Sequence, residues 1–371
     1  MDPRRASRLC RPHGALDGTC GPLREGPPAL KVAQLMAGAP EGGAELFFER
    51  LSIALARAGD AVLPVIRRNA ARTARLAEAG LVCEEATFGG PFDFLTRPRL
   101  RKVLRSFAPR VAVAWMSRAA RLAPQGEWVL VGRLGGYYGL DAYRRCDHLV
   151  GNTRGLVEWI LEQGWLNDRV HYLPNFAPDH AGAEPADREA LGVPEGVRTV
   201  LALGRLHPNK AFDVLIRAVA KLPRAHAVIA GDGPERSALL AFARKEGVAD
   251  RVHFCGWRSD VAGLLGACDV LVCPSRHEPL GNVVIDGWSA ERPVVACAAE
   301  GPRELIVSGE TGLLVPLENA TLLAEAIASV ITDAALGARL AAAGRARFQA
   351  EFAEAPVVAQ WRHFLGAVEK L

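Results

Sequence analysis

The sequence has no run approaching the ~18 consecutive apolar residues of a membrane-spanning helix; its strand-like apolar stretches, such as 111–116, 128–131 and 270–273, are far shorter. An integral helical membrane protein is thereby excluded. Cysteine is sparse. The eight thiols, at positions 10, 20, 83, 146, 255, 268, 273 and 297, have neither the density nor the spacing of a disulfide framework and read as reduced, cytoplasmic side chains. Cys268 and Cys273 bracket an apolar run with His277 as the nearest third ligand, which is thin support for zinc, so most of the cysteines read as small core residues. The first 29 residues are rich in Arg, Pro and Gly, show no apolar period and contain no secretory core. They are expected to be a disordered leader, whether a flexible tail or the product of a mis-assigned start.

What is present is core material. Half of the 371 residues are apolar and 23% are charged, which is too hydrophobic for intrinsic disorder. At ~150 residues per domain the length fits two domains or one large one. The net charge of +4 hides an asymmetry: residues 1–30 carry +2, residues 31–176 carry +6 and residues 177–371 carry −4. Within the middle segment, residues 94–126 hold eight basic side chains (Arg97, Arg99, Arg101, Lys102, Arg105, Arg110, Arg118 and Arg121) and no acidic one. Such a face attracts phosphorylated lipids or an anionic acceptor, or is simply a solvated helix surface. Nucleic acid is disfavoured, because no DNA-binding motif accompanies the run and the chain's overall charge is small.

Ordered sequence is expected from residue 30. The apolar run 30–37 reads as a strand, a glycine-rich turn follows, and Leu46, Phe47, Leu51, Ala54, Leu55 and Ala58 then recur at helical spacing up to Gly59. Further buried strands are predicted at 61–66, 111–115, 128–132, 148–151 and 170–173. A helix is predicted over 153–163, with Asn152 or Thr153 as its N-cap and Gly164 closing it. A polar stretch from 177 to about 185 reads as a linker. The alternation then restarts, with strands at 199–203, 227–230, 252–254, 270–273, 294–296 and 313–315 and helix from 322 onward. Alternating strands and helices imply two doubly wound α/β domains with parallel sheets, over 30–176 and 185–350, whose ligands lie at the carboxyl ends of the strands and in the cleft between domains.

Several of those ends carry chemistry. Gly42 and Gly43, directly before a helix, either let backbone N–H groups approach an anion or make a tight turn that needs positive φ. Strand 199–203 runs into Gly204, Arg205, Leu206, His207, Pro208, Asn209 and Lys210, and two cations at a carboxyl end suit a diphosphate, unless both are ordinary surface residues. Gly231, Asp232, Gly233 and Pro234 make a turn with Pro234 placed to start a helix. After strand 270–273, Glu278 could accept hydrogen bonds from sugar hydroxyls, while Gly281 and Asn282 open a helix and offer N–H groups. Asp286, one turn on, could hold a second pair of hydroxyls; otherwise Glu278 and Asp286 are solvated acids.

Taken in order, GGAE (42–45), the Gly-Arg-to-Lys loop, GDGPER (231–236), VHFCGW (252–257), DVLVCPS (269–275) and EPLGNVVID (278–286) resemble the family 4 retaining glycosyltransferases of the GT-B fold, over about residues 31–350. GWRSD and RELIVSGETGLLVP also look like this family, and RLGGYY with CDHLVGNT resembles bacterial enzymes that build lipopolysaccharide cores. The resemblance implies two Rossmann-like domains facing across a cleft and transfer of a sugar from a nucleotide donor to a glycan or glycolipid. It implies that Arg205 and Lys210 hold the donor diphosphate, Glu278 the donor sugar and Asp286 the ribose. Gly204, Gly281 and Asn282 would approach the donor from one domain and Gly42 and Gly43 from the other, with the backbone around Trp257 and Arg258 meeting the base. The final helix, 352–371, is expected to pack back on the first domain.

The chain departs from the family pattern twice. The second acid is Asp286 where a glutamate is usual, and the stretch Val113 to Arg118 lacks the histidine that many members carry. No obvious protein base is present, and the resemblance to retaining enzymes of this fold implies that the leaving diphosphate oxygen takes the acceptor proton, the protein contributing position and charge. Glycosyltransferases of the other main fold hold a divalent ion with Asp-x-Asp, a motif absent here. No metal and no other cofactor is therefore expected. Arg118, just past strand 111–115, is assigned to acceptor contact or to plain surface. The expected setting is cytoplasmic, at the inner membrane face. Two alternatives stay open: an epimerase or phosphorylase of the same fold, and a sugar-nucleotide-binding module without turnover.

Overall fold

A computed structural model describes residues 29–39, 42–89, 93–368 and 370. The leader expected at 1–29 lies, apart from Ala29, outside the described residues. Two all-parallel sheets form, each with its own pair of apolar layers. The first contains β1 (Lys31–Met36), β2 (Ala61–Arg67), β3 (Glu84–Ala86), β4 (Val111–Trp115), β5 (Val129–Leu134), β6 (His148–Gly151) and β7 (Val170–Tyr172), in the order β3-β2-β1-β4-β5-β6-β7. The second contains β8 (Arg198–Leu203), β9 (Ala225–Ala230), β10 (Val252–Gly256), β11 (Val270–Cys273), β12 (Val294–Cys297) and β13 (Leu313–Val315), in the order β10-β9-β8-β11-β12-β13. The doubly wound architecture expected from the alternation is the one observed.

The strands form where they do because both of their faces are covered. Every residue of β4, β5, β6, β11 and β12 is buried, the pattern of a sheet sandwiched between helices. Alternation within β4 sends Val111, Val113 and Trp115 into one layer and Ala112 and Ala114 into the other. β3 escaped the sequence reading. It is a three-residue edge strand, Glu-Glu-Ala, without the apolar run that identifies buried strands. The helix predicted at 153–163 spans Arg154–Glu162, and of the two candidate caps Thr153 is the one used, its hydroxyl accepting from the Leu156 N–H at 3.1 Å. Pro234 does not begin its helix, which starts at Arg236.

The chain crosses between the sheets twice, and the crossings touch. The Ala177 N–H donates to the Phe352 carbonyl at 3.2 Å, while Arg345 clasps Asp179 through two bonds of 2.6 and 2.8 Å. A wide helical turn at Phe348–Phe352 then redirects the chain, and helix Glu354–Ala367 lies on the first sheet. Its Val357, Val358, Trp361, Phe364 and Leu365 share one apolar layer with Phe47, Phe48 and Trp115, and Trp361 stacks on Trp115 with centroids 6.4 Å apart. Arg362 fixes the outer side by bonding the buried Asp60 carboxylate at 3.0 and 3.1 Å. The described cysteines are free, four of them buried, as core residues would be. No described helix is by itself long and apolar enough to cross a membrane.

Trp361 is a pin between chain end and sheet, so Trp361→Ala should cost ~3–5 kcal/mol by loss of buried aromatic area and the cavity left behind, measured by urea titration. An unchanged midpoint would show that the final helix contributes nothing to the first core.

Candidate active site

In each sheet the strand order reverses direction once, between β1 and β4 and between β8 and β11. At such a switch point the crossover connections diverge and leave a crevice beyond the carboxyl ends. The loops that leave β8 and β11 are laced together there. The Asn209 carbonyl accepts from the Arg276 N–H at 2.8 Å and from the His277 N–H at 3.2 Å, while the Arg276 guanidinium grips Asp213 at 2.8 and 2.7 Å.

The β8 loop in turn rests on the loop after β9. Gly204 N–H donates to the Ala230 carbonyl at 3.0 Å and Leu206 N–H to the Asp232 carbonyl at 2.9 Å. A Cβ on Gly231, whose φ is +149°, would overlap the Gly204 carbonyl, and one on Gly233 would overlap that of Leu206. These glycines exist because two backbones need the same space. The GDGPE turn is therefore a support for the Arg205 loop.

Glu278 is buried and meets the Lys210 ammonium, with the Ser275 hydroxyl 3.3 Å from the same carboxylate oxygen. Arg205 stands exposed at the start of its loop, with no ion-pair partner among the described residues. A residue the sequence reading missed fixes Glu278 from behind. The Glu300 carboxylate accepts from the Glu278 N–H at 3.2 Å and bonds His277 Nδ1 at 2.9 Å, and the Gly301 N–H donates to the Glu278 carbonyl at 2.7 Å. The only sequence signal for it was an acid at the start of the following helix, which is common on solvated surfaces.

Asn282 opens helix Asn282–Ser289, and Gly281 turns into it with φ +82°. Across the cleft a Cβ on Gly43 would sit in ordinary contact, 3.7 Å from the side-chain Nδ2 of Asn282, so the first domain comes within van der Waals reach of this turn. Gly42 is extended, with φ 167°, and neither it nor Gly43 lies in the left-handed region, which removes the tight-turn reading; a side chain at Gly42 would overlap the buried Glu45 carboxylate. Glu45 also accepts from the Ala39 N–H at 2.7 Å and so ties the end of the β1 segment to the helix.

A cavity of about 310 Å³ lies between the domains, lined among others by Gly43, Arg50, Asn175, His180, Asn282 and Asp286. Asp286 faces His180, whose Nε2 is 4.0 Å from its Oδ1. Burial in the cleft pushes the Asp286 carboxyl up to about 6, against the pull of Arg50. Burial also lowers the His180 pKa, with the Arg50 charge adding to it. Arg50 lies seven residues beyond Gly43, two helical turns along the same face, and could have been found by that spacing. His180, in the linker, had no such signal. Ser259 and Asp260 reach the cavity, whereas the Arg258 side chain turns to Asp260 at 2.8 and 2.5 Å and the Trp257 indole is exposed. Arg118 is exposed, past β4 in the first domain.

Residues 197–333 match the family model described as "Glycosyl transferases group 1". The chain is 33% identical over 341 residues to the lipopolysaccharide core biosynthesis glycosyltransferase LpsE of Rhizobium meliloti (strain 1021), covering 91% of this chain and 99% of that one. This chain belongs to the group 1 glycosyltransferases. A second protein of the same organism, the lipopolysaccharide core biosynthesis glycosyltransferase LpsD, is 36% identical over 329 residues, 88% of this chain and 95% of its own. The crystal structure of Anabaena Alr3699/HepE in complex with UDP-glucose superposes with a TM-score of 0.78 at 23% identity, covering 91% of this chain and all of that one. The fold of this glycosyltransferase is thus GT-B, and the laced loops, the Gly43–Asn282 approach and the cavity occupy the cleft of that fold.

The raised Asp286 pKa has a sign that can be checked. A carboxyl whose pKa is higher folded than unfolded takes stability away once pH rises above its unfolded value near 4. Asp286→Asn should therefore raise Tm at pH 7–8, with the gain shrinking toward pH 4. A Tm difference that is the same at both ends would refute the burial argument.

Proposed function

We propose that this glycosyltransferase moves a sugar from a nucleotide-sugar donor to a glycan or glycolipid acceptor in lipopolysaccharide core assembly, with retention at the anomeric carbon and without a metal ion. The observation that carries the donor assignment is the meeting of Lys210 and Glu278 at the β8/β11 switch point, with Arg205 exposed at the start of the same β8 loop. The UDP-glucose complex of the HepE structure, which shares the fold, supports a nucleotide sugar as the donor class. Lys210 and Arg205 neutralise the diphosphate as negative charge builds on it. Glu278, held by Glu300, receives hydroxyls of the donor sugar. Asp286 and the cavity beside it take the ribose, with Gly204, Gly281, Asn282, Gly42 and Gly43 presenting backbone and the segment at Trp257 and Arg258 meeting the base.

In the reaction the acceptor oxygen bonds to the anomeric carbon on the face from which the phosphate oxygen departs. The carbon–phosphate oxygen bond breaks, and the acceptor proton passes to that leaving oxygen. No protein base is required, and the two cations supply the charge that a divalent ion supplies in other transferases. Membership of the family over nearly the whole chain sets aside the epimerase and phosphorylase readings.

The first domain supplies the acceptor side, at the cytoplasmic face of an anionic membrane. Phe94 and Leu95 are 77% and 76% exposed immediately before helix Thr96–Phe107, whose Arg101, Lys102 and Arg105 are exposed as well. An apolar pair beside a basic face is the composition of an interfacial anchor. Sedimentation with phosphatidylglycerol vesicles should capture the protein, and Phe94→Ser with Leu95→Ser should release it; equal sedimentation would refute the anchor.

The donor assignment is tested by thermal shift and donor hydrolysis over a panel of UDP-, GDP- and ADP-sugars in EDTA. One donor should stabilise the protein and be hydrolysed slowly, and Arg205→Ala should weaken its binding by about tenfold or more, the loss of a charge-assisted contact. No shift with any donor would overturn the donor site, a requirement for added divalent ion would overturn metal independence, and binding without turnover would mark a non-catalytic module.

A further inference from the structure

The segment Arg133-Leu134-Gly135-Gly136-Tyr137-Tyr138 leaves the carboxyl end of β5, beside the first sheet's switch point, and nothing above assigns it a role. Its residue types are explained by what they surround. Arg133 is 1% exposed, packed on the faces of Trp115 at 4.9 Å and Phe47 at 5.5 Å. Its hydrogen bond among the described residues goes to the Asn175 amide oxygen at 2.5 Å, its Nε has no partner, and no described carboxylate pairs with it. Burial brings its pKa down to about 10, which leaves it cationic at neutral pH. A Cβ on Gly135 would lie 2.8 Å from the guanidinium and one on Gly136 would lie 3.3 Å from the Tyr138 ring. The glycine pair therefore lets the turn lie directly over a buried cation and lets the Tyr138 ring lie on the backbone, while 37% of that residue stays open to solvent.

The surroundings place this turn on the cleft. Tyr137 stands edge-on to Trp159 at 5.5 Å and feels the charges of Glu300 and Glu304, which belong to the helix that holds Glu278. On the other side, the turn continues into the short helix Leu140–Tyr143, which is fastened to the corner after β4 by a 3.4 Å contact between the Tyr143 and Ser117 hydroxyls. At that corner Met116 has φ +63°, an unfavourable conformation for a side-chain-bearing residue and one that concentrates at functional sites. Arg118 is two residues further on.

We propose that Tyr138, carried on the Gly135–Gly136 turn above Arg133, is the stacking platform for the acceptor sugar, and that the sugar ring it takes carries a negative charge. A pyranose offers an apolar C–H face to an aromatic ring whose hydroxyl stays wet. A buried cation without a carboxylate is an unfavourable arrangement that an arriving anion relieves, and the exposed Arg118 adds to the same field. The assignment rests on the transferase reading, since it gives this face the acceptor.

Saturation-transfer NMR with methyl glucoside and methyl glucuronide separates ring from charge. Ring protons should receive saturation from the wild-type protein and from Tyr138→Phe, about fivefold less from Tyr138→Ala, with the glucuronide exceeding the glucoside. Donor hydrolysis and UDP stabilisation should be the same in all three proteins, which also shows that the variants fold. Equal sugar signals in wild type and Tyr138→Ala, or none in wild type, overturn the platform; equal signals for the two glycosides overturn the charge preference. Failure of UDP to stabilise the wild type strikes the donor reading instead and leaves the sugar signals to be judged by themselves.

Discussion

The ammonium of Lys210 and the carboxylate of Glu278 meet where two adjacent parallel strands send their connections in opposite directions, and the loops of the second sheet's crevice are organised around that meeting. Taking both charges out of water is unfavourable, and the pair persists because its loops cannot move apart. The Asn209 carbonyl binds two N–H groups of the β11 loop, Arg276 ties that loop to Asp213, and Glu300 holds the Glu278 backbone. An anion entering the crevice offers Lys210 a second partner and leaves Glu278 to hydroxyl groups. Under the proposed donor assignment, recognition of a phosphorylated sugar is an exchange of partners within a fixed frame.

The frame is rigid because it is built from main chain. Where β8 and β9 end, Gly204, Gly231 and Gly233 let one loop lie on the other with no side chains between them, so no rotamer change can loosen the contact. The two domains meet with more freedom. Gly43 comes near Asn282 without locking to it, whereas Glu304 of the second domain accepts from the Arg154 and Gly155 N–H groups at 2.6 and 3.0 Å and so caps a helix of the first. A carboxylate at a helix N-terminus is a reversible contact, suited to a cleft that must admit one large substrate and release another.

Legibility followed burial. Strands covered on both faces, such as β4 and β11, could be read to the residue because a short all-apolar run has few other uses. β3, at an edge and mostly acidic, gave no such signal. Glycine-rich turns could be located from sequence but not explained, since the groups that exclude a side chain at Gly42 or Gly231 come from elsewhere in the chain. Glu278 and Lys210 were readable as chemistry at strand ends, although 68 residues separate them and their contact is tertiary. His180 and Glu300 were not, because a linker histidine and a helix-start acid are unremarkable until folding points them at Asp286 and the Glu278 backbone. In the sequence Arg133 is marked only as part of RLGGYY; its burial without a described acid beside it exists only in three dimensions.

The return of the final helix to the first sheet has a consequence for biosynthesis. Trp361 and its neighbours complete an apolar layer whose other members, Phe47, Phe48 and Trp115, emerge from the ribosome more than two hundred residues earlier. The second sheet, by contrast, has all its strands by Val315. Translation therefore inverts the usual order in which domains mature: the domain made first waits, with one face of its core uncovered, until the domain made second has already been synthesised. A nascent chain with that exposed aromatic face is a natural client for chaperones during the interval.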